Sequence, residues 1–236
     1  MPERPIAVVL AAGVGARVGD ATPKQFLPLN GIPVLARTVR SLAWCDRILV
    51  VHHPAHLDRT RVVLEEAGLG ARVELTEGGP TRRSSIAAAL AALEDAAADA
   101  PLVLQNAASP NTPRRLVEAC IAGLDTHEVA QAFMPAVHTI FTHDGDELTE
   151  VLQRDRLGYS ADPTVYRLGC LRRIVASQTQ DDAAGEMTLD TARALGIPVV
   201  LVRSPGTNIK LTTHADLAVL QAVLGSGDGW ADRPAD

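Results

Sequence analysis

The sequence predicts an α/β fold in which helices sandwich a mostly parallel β-sheet. Short apolar runs rich in Val, Leu and Ile alternate along the chain with longer segments of helical period, the pattern that repeated strand–helix–strand units impose. The apolar runs are nearly unbroken, as strands covered by helices on both faces are. With 236 residues, 47% of them hydrophobic and 21% charged, the chain can bury a substantial core without metal or disulfide staples. Only 3% of residues are aromatic, so that core is built from small aliphatic side chains.

In chain order, a strand at 6–10 opens the fold and runs into a loop of small residues. A helix follows at 33–43, where Pro33 suits the first helical position because proline lacks the N–H that would go unpaired there. Strand 47–52 and helix 57–67 form the next unit. Strand 73–76 and helix 82–97 come after it, and Thr81 or Ser84 can cap that helix. Strand 102–105 leads to helix 113–123, again with a proline, Pro113, at its start. Strand 129–134, helix 165–177 and strand 199–202 complete the alternation. One stretch departs from it. Within 136–152, Val137, Thr139 and Phe141 alternate, followed by His143-Asp144-Gly145-Asp146 and an apolar return from Leu148 to Val151. Asp-Gly between such runs signals a β-hairpin, which fits either an extension of the sheet or a dimerisation arm. Residues 1–224 are expected to form one domain carrying this arm at about 136–152, and the polar stretch 225–236 a flexible tail.

Composition narrows the function classes. A net charge of -6 argues against general nucleic-acid binding. Cys45, Cys120 and Cys170 are far apart and odd in number, matching neither a disulfide framework nor a zinc spacing, so a reducing compartment, the cytoplasm, is expected. No apolar run approaches the roughly 18 residues of a membrane span, and the N-terminus passes straight into the first strand without a leader pattern. His52, His53 and His56 lie close together, but without a Cys or acidic partner they read as solvated loop histidines. Arg114-Arg115 and Arg172-Arg173 read as solvated helix faces, and Cys120 as core.

The most informative segment is the first loop, Leu10-Ala11-Ala12-Gly13-Val14-Gly15-Ala16-Arg17-Val18-Gly19, then Pro23-Lys24-Gln25. Small residues after a buried strand let backbone N–H groups approach an anion closely, and Arg17 and Lys24 can neutralise charge on a phosphate. A dinucleotide loop reads G-x-G-x-x-G without such a basic pair, and the G-K-[ST] of a Walker loop is absent.

This loop resembles the nucleotide signature of sugar-phosphate nucleotidyltransferases, and within them is most similar to the 2-C-methyl-D-erythritol 4-phosphate cytidylyltransferase family. Gly78-Gly79-Pro80-Thr81-Arg82-Arg83-Ser84-Ser85-Ile86 resembles that family's G-G-x-x-R-x-x-S-V. Ala107-Ala108 with Pro110 resembles the end of its H-D-A-A-R-P, and Asn208-Ile209-Lys210-Leu211-Thr212 with Asp216-Leu217 its N-I-K-x-T…D-L. The resemblance spans about residues 6–222. It implies a Rossmann-like three-layer sandwich of the nucleotide-diphospho-sugar transferase type, and transfer of CMP from CTP to a small phosphorylated acceptor with release of pyrophosphate. It also implies Mg2+ or another divalent cation, and a homodimer formed through the hairpin arm. By position, Arg17, Lys24 and Lys210 would be catalytic. Ala11, Ala12, Gly13 and Gly15 would wrap the triphosphate and base, while Gly79, Arg82 and Ser85 would read cytosine and ribose. Asn106, Val137 and Thr139 would fall on the acceptor side, with Asn106 also a weak metal donor.

The departures concentrate on that acceptor side. Where the family has H-D-A-A-R-P, this chain has Gln105-Asn106-Ala107-Ala108-Ser109-Pro110. Where it has V-R-D-T-[MIL]-K, the chain has Ala136-Val137-His138-Thr139-Ile140-Phe141. Its T-P-Q becomes Asp162-Pro163-Thr164, and its T-D-[DE] becomes Ala184-Gly185-Glu186. Three readings stay open: a cytidylyltransferase whose acceptor is another polyol phosphate or a phosphonate; an ordinary methylerythritol-phosphate enzyme of isoprenoid biosynthesis, compensated by residues such as His138 or Arg154; and a weakened paralogue that binds nucleotide or a partner.

Overall fold

A computed structural model of the chain describes residues 5–13, 22–177 and 187–225. Its elements run β1 (Ile6–Ala11), β2 (Pro28–Leu29), β3 (Ile32–Pro33), α1 (Val34–Ser41), β4 (Arg47–His52), α2 (Leu57–Glu66), β5 (Glu74–Glu77), α3 (Arg82–Ala92) and β6 (Pro101–Asn106). They continue with α4 (Arg114–Gly123), β7 (Val129–Pro135), β8 (Ile140–Asp144), β9 (Glu147–Leu152), β10 (Gly158–Arg167), α5 (Leu168–Ser177), α6 (Met187–Ala194), β11 (Val199–Arg203) and α7 (His214–Gly225). Seven strands form one sheet in the order β11-β7-β10-β6-β1-β4-β5. Only β10 runs against the others, antiparallel to both β6 and β7.

Strand alternation sorts the core into two layers. Ala7, Val9, Ile48, Val50 and Val103 face Leu35 and Val39 of α1, Leu64 of α2 and Val117 of α4. Ile6, Val8, Leu49, Val51 and Leu102 face Ile86 of α3, Leu171 and Ile174 of α5 and Ala192 of α6. A strand turns successive side chains to opposite faces, so these unbroken apolar runs demand a helical layer on each side. The molecule is the three-layer α/β sandwich expected. A third, smaller cluster of Leu29, Val34, Ala108, Leu211 and Leu220 seats α7 beside β2 and β3.

Several elements differ from the sequence-based expectation. Residues 165–167, read as the start of a helix, end β10, and α5 begins at Leu168. Tyr166 and Val165 are fully buried between β6 and β7, whereas Gly158–Ser160 are exposed, so only the inner end of this strand carries an apolar signal. Helix α3 stops at Ala92 instead of continuing to 97. Glu94 and Asp95 would oppose the helix dipole at its C-terminus; Asp95 pairs instead with Arg47 at 3.0 Å, and Arg172 donates to the Leu93 carbonyl at 2.7 Å. Pro33 and Pro113 stand one position earlier than expected, as N-caps. Thr81 and Ser84 act together as a capping box on α3. Gly225, assigned to the tail, is the last residue of α7, and 226–236 lie outside the described residues.

His52 is buried at the end of β4, not solvated, and its Nδ1 lies 3.0 Å from the His53 carbonyl. The Arg pairs are engaged: Arg173 forms an ion pair with Glu128 at 2.7 Å, and Arg114 pairs with Glu118 while covering the Trp44 ring. All three cysteines are buried and unpaired, and burial pushes the Cys45 and Cys120 thiols up to about 12. Among the described residues no helix is long and apolar enough to cross a membrane.

The hairpin β8–β9 makes its own two-stranded ladder, unbonded to the main sheet. Its tight turn is Gly145-Asp146, with Gly145 at φ +55°, a left-handed conformation that favours glycine. It is an arm and not an extension of the sheet. Phe141, Leu148 and Val151 on it are 50–58% exposed.

Candidate active site

A cavity of about 480 Å³ opens at the C-terminal ends of β1 and β6, the edge of a parallel sheet where ligands of open α/β folds bind. Ala11, Ala12, Gly13, Lys24, Gly79, Arg82, Ser85, Asn106 and Lys210 all line it. Nine of the expected site residues, drawn from four separate stretches of sequence, therefore converge on one space. Gly15 and Arg17 lie outside the described residues. Val137 and Thr139, expected on the acceptor side, do not line this cavity; they are exposed at the root of the arm.

The wall built from β1 and α3 is mostly backbone. Gln25, buried beneath the loop, donates from Nε2 to the carbonyls of Ala11 at 3.0 Å and Gly13 at 3.2 Å. This fixes the two carbonyls, groups a phosphate would repel, against a side-chain donor. Gly78 and Gly79 let the next loop pass close behind. A Cβ on Gly78 would come within 2.6 Å of the Ala12 Cβ, and one on Gly79 within 2.2 Å of the Ser84 Oγ. Helix α3 then starts at the cavity, where its N-terminal dipole favours negative charge, and carries Arg82 and Ser85 into the lining.

Lys24 and Lys210 are held together at the far end. Lys24 Nζ donates to the Leu211 carbonyl at 3.0 Å, and Leu211 N–H donates to the Ala108 carbonyl at 2.8 Å. Leu211 itself is fully buried, so the loop bearing Lys210 is anchored on both sides. Asp216 completes the anchor by accepting from the N–H groups of Thr212 at 2.8 Å and Thr213 at 2.7 Å. Burial raises the Asp216 carboxyl, but those N–H groups, the Thr213 hydroxyl and the Lys24 charge outweigh it and hold it below its ordinary value.

The opposite wall is a chain of side chains. Arg82 Nη1 donates to Asn106 Oδ1 at 2.9 Å, and Asn106 Nδ2 donates to Asp162 Oδ1 at 2.6 Å. Ser109 Oγ donates to the other Asp162 oxygen. Asp162 reaches this position because β10 bulges: the register to β7 shifts between Ser160 and Thr164, as bulges beside active sites often do. Gln131 of β7 closes the bulge, donating from Nε2 to the Ala161 carbonyl at 2.7 Å and accepting from Thr164 Oγ1 at 2.6 Å. A side cavity of about 50 Å³ adjoins the main one, lined by Arg82, Asn106, Asp162 and Lys210 together with Met134 and Ser160.

Asn106, expected as a weak metal donor, uses its amide oxygen here to accept from the Arg82 guanidinium at 2.9 Å. Among the described residues no group of three or more His, Cys, Asp or Glu converges as a metal site. Sequence reasoning missed Asp162 and Gln25 as site residues and gave Asp216 no role. For Asp162 a signal existed: Asn106 loses a charge and Ser109 loses another where Asp162 gains one.

A family model described as 2-C-methyl-D-erythritol 4-phosphate cytidylyltransferase matches residues 6–226. The enzyme of that name from Thermobifida fusca (strain YX) is 33% identical over 238 residues, covering 95% of this chain and 94% of that protein. Its namesake from Cereibacter sphaeroides is 31% identical, covering 94% and 98%. Among solved structures, the 4-diphosphocytidyl-2C-methyl-D-erythritol synthase of Anaerococcus prevotii DSM 20548 superposes with a TM-score of 0.77 at 19% identity, over 94% of this chain and 99% of that one. The 2-C-methyl-D-erythritol 4-phosphate cytidylyltransferase of Thermus thermophilus gives 0.73 at 23% identity, over 94% and 98%; these two likenesses speak to the fold. Fold, cavity and relatives together define a nucleotidyltransferase. The chain belongs to the 2-C-methyl-D-erythritol 4-phosphate cytidylyltransferase family and is a cytidylyltransferase.

Proposed function

We propose that the enzyme transfers CMP from CTP to a polyol phosphate or related phosphorylated acceptor other than methylerythritol phosphate. An acceptor phosphate oxygen attacks the α-phosphorus, the bond to the β-phosphate oxygen breaks, and pyrophosphate leaves. Such a step needs positioning and stabilisation of added charge more than covalent help from the protein. In this reading Lys24, Lys210 and Arg17 stabilise the crowded phosphorus. The loop Ala11–Gly13 with Gly15 wraps the triphosphate, and Gly79, Arg82 and Ser85 hold base and ribose. Magnesium or another divalent cation, when bound, draws charge from the phosphates. Asn106, at the end of β6, is the protein side chain that would help to hold it, its amide oxygen shared with Arg82.

The acceptor assignment rests on one observation: the wall facing Lys210 presents the Asp162 carboxylate, clasped by Asn106 and Ser109, where the family resemblance would put a threonine at 162, an aspartate at 106 and an arginine at 109. Exchanging that arginine for serine and that threonine for a carboxylate changes the charge and hydrogen-bonding pattern offered to the acceptor, and with it which acceptor is preferred. Asp162 also supplies a negative charge that Asn106 lacks, which favours a working enzyme over a weakened paralogue. A pyrophosphate-release screen of CTP, GTP, UTP and ATP against polyol phosphates and phosphonates tests the reading. Turnover with CTP and one such acceptor is expected, and none with any pair contradicts it.

The arm supports pairing with a second copy. Val137, Phe141, Leu148 and Val151 expose apolar surface, and Val137 and Thr139 could meet an acceptor only in a cavity other than their own chain's. Three buried thiols suit a reducing compartment, so we assign the homodimer to the cytoplasm.

A further inference from the structure

We propose that Asn208 is a positioning residue for the transfer: its side-chain amide ties the loop that carries Lys210 to the β10 bulge and to the turn after β6, and so sets where the Lys210 ammonium stands over the cavity. The inference rests on the reading that Lys210 acts at the reacting phosphates, and it holds whichever acceptor the enzyme takes.

Leu211 and Asp216 anchor the loop on the C-terminal side of Lys210, and Asn208 is its anchor on the other side. The Asn208 side chain is buried and uses its amide in three directions. Nδ2 donates to the Asp162 main-chain carbonyl and to Ser204 Oγ at 3.0 Å, while Oδ1 accepts from Thr112 Oγ1 at 3.1 Å. A planar amide held at three points is fixed in orientation as well as in place. Gln105 sets the direction of the last of these bonds. Its Nε2 donates to Thr112 Oγ1 at 2.8 Å and to the Ser109 carbonyl at 3.1 Å, which leaves the single hydroxyl hydrogen of Thr112 for Asn208. A parallel link runs from Asn111 Nδ2 to the Thr207 carbonyl at 2.9 Å. Gln105, Thr112, Asn208 and Ser204 are all at most 3% exposed, and among the described residues Gln105 Oε1 finds no hydrogen-bond partner. Burying an unpaired polar atom is costly, and apolar side chains would fill this space without that cost. What the polar chain adds is direction, since its bonds join one arrangement of three segments. Gln105 also stands where the family resemblance has a histidine, so this end of the wiring is particular to this chain. Lys210 borders both the main and the side cavity, and a displacement of about 1 Å at a group meeting the reacting atoms can cost on the order of a hundredfold in rate.

The test measures pyrophosphate release from CTP by the full-length enzyme with glycerol phosphate, erythritol phosphate, ribitol phosphate and methylerythritol phosphate, and follows the fastest of them through the variants. Asn208→Asp keeps the shape of the amide and loses both donors. It is expected to lower kcat about a hundredfold, with the KM for CTP changed by less than about threefold. Thr112→Val cuts one link and is expected to lower kcat about tenfold, with Thr112→Ser restoring it. In a Lys210→Ala background neither Asn208→Asp nor Thr112→Val should lower kcat by more than about twofold further, because the group they position is gone. A folded Asn208→Asp enzyme with ordinary kcat overturns the inference; if that variant does not fold, Thr112→Val against Thr112→Ser decides in its place. Equal losses with and without Lys210 mark Asn208 as general framework and overturn this inference alone. Ordinary activity in Lys210→Ala, or no turnover of any acceptor by the unaltered enzyme, overturns the proposed function and this inference with it.

Discussion

The two walls of the cavity use different materials. Along β1 and the start of α3, the surface is backbone and small side chains, and what matters is the absence of bulk. Gly78 and Gly79 have no space for a Cβ, and Gln25 orders the loop from beneath. Along the end of β6 and the bulge of β10, the surface is a relay of side chains from Arg82 through Asn106 to Asp162 and Ser109. A backbone wall recognises what every nucleotide shares, phosphates and their charge. A side-chain wall can be rewired by a few substitutions that compensate one another. Specificity can therefore change on one wall while the chemistry of the other stays intact.

The sharpest way to break this comparison is at the cations of the nucleotide wall. Lys24→Ala is expected to lower kcat/KM for CTP-dependent pyrophosphate release by about a hundred- to thousand-fold, equivalent to roughly 3–4 kcal/mol of lost transition-state stabilisation. Thermal unfolding should be nearly unchanged, and Arg17→Ala is expected to behave alike. Ordinary activity in a folded Lys24→Ala enzyme would show that this lysine does not face the reacting phosphates.

The side-chain wall predicts non-additivity. Asn106→Asp replaces a donor to Asp162, now 2.6 Å away, with a second carboxylate. Like charges at that distance cannot both stay ionised without cost, and the clasp is lost. A loss on the order of 1–3 kcal/mol in unfolding free energy at neutral pH is expected, easing as the pH falls and one carboxyl takes up a proton. Adding Asp162→Asn restores a carboxylate–amide pair with its polarity reversed and should recover most of the loss. Additive effects in the double variant would mean that the two residues are not coupled.

A smaller effect tests how Lys210 is held. Asp216 and Thr213 cap α7 reciprocally: Asp216 accepts from Thr213 N–H at 2.7 Å and its own N–H donates to Thr213 Oγ1 at 3.3 Å. Asp216→Ala is expected to cost about 1 kcal/mol and to weaken CTP binding modestly. Because the folded Asp216 carboxyl sits below its ordinary value, its stabilisation is complete at neutral pH and is lost as pH falls through that depressed value. Unfolding measured between neutral and acid pH should therefore be steeper in the native chain than in the variant. Identical slopes would remove Asp216 from the account.

The smallest effect on stability is expected at the arm. Shortening 142–147 removes exposed residues and should leave the unfolding of each subunit nearly unchanged, while light scattering shifts from dimer toward monomer. A native chain that is monomeric from the outset contradicts the proposed pairing.

How much of this could be read from the sequence follows the same division. The β1 loop, the Gly-Gly turn and the capped start of α3 were legible because backbone geometry demands particular residue types at fixed spacings, and those residues do converge. The two-layer core was legible because unbroken apolar strands require cover on both faces. Strand β10 was not, since its outer half is polar and exposed and its bulge breaks the period. Helix α7 was missed because His214–Gly225 is apolar on most sides and buries fully only Leu220, leaving no amphipathic stripe to find. In the sequence Asp162 stands out only as a departure from the family pattern. Its meaning depends on Asn106 and Ser109, more than fifty residues away, and no local pattern encodes that meeting.

The most direct measurement of the central claim is kcat/KM for pyrophosphate release from CTP by the unaltered enzyme, with methylerythritol phosphate and with a panel of other polyol phosphates assayed side by side. An intact nucleotide wall facing a rewired acceptor wall predicts that one of the other polyol phosphates is used more efficiently than methylerythritol phosphate. Preference for methylerythritol phosphate over every other acceptor would contradict it and would make the Asp162 relay a compensated form of the ordinary site.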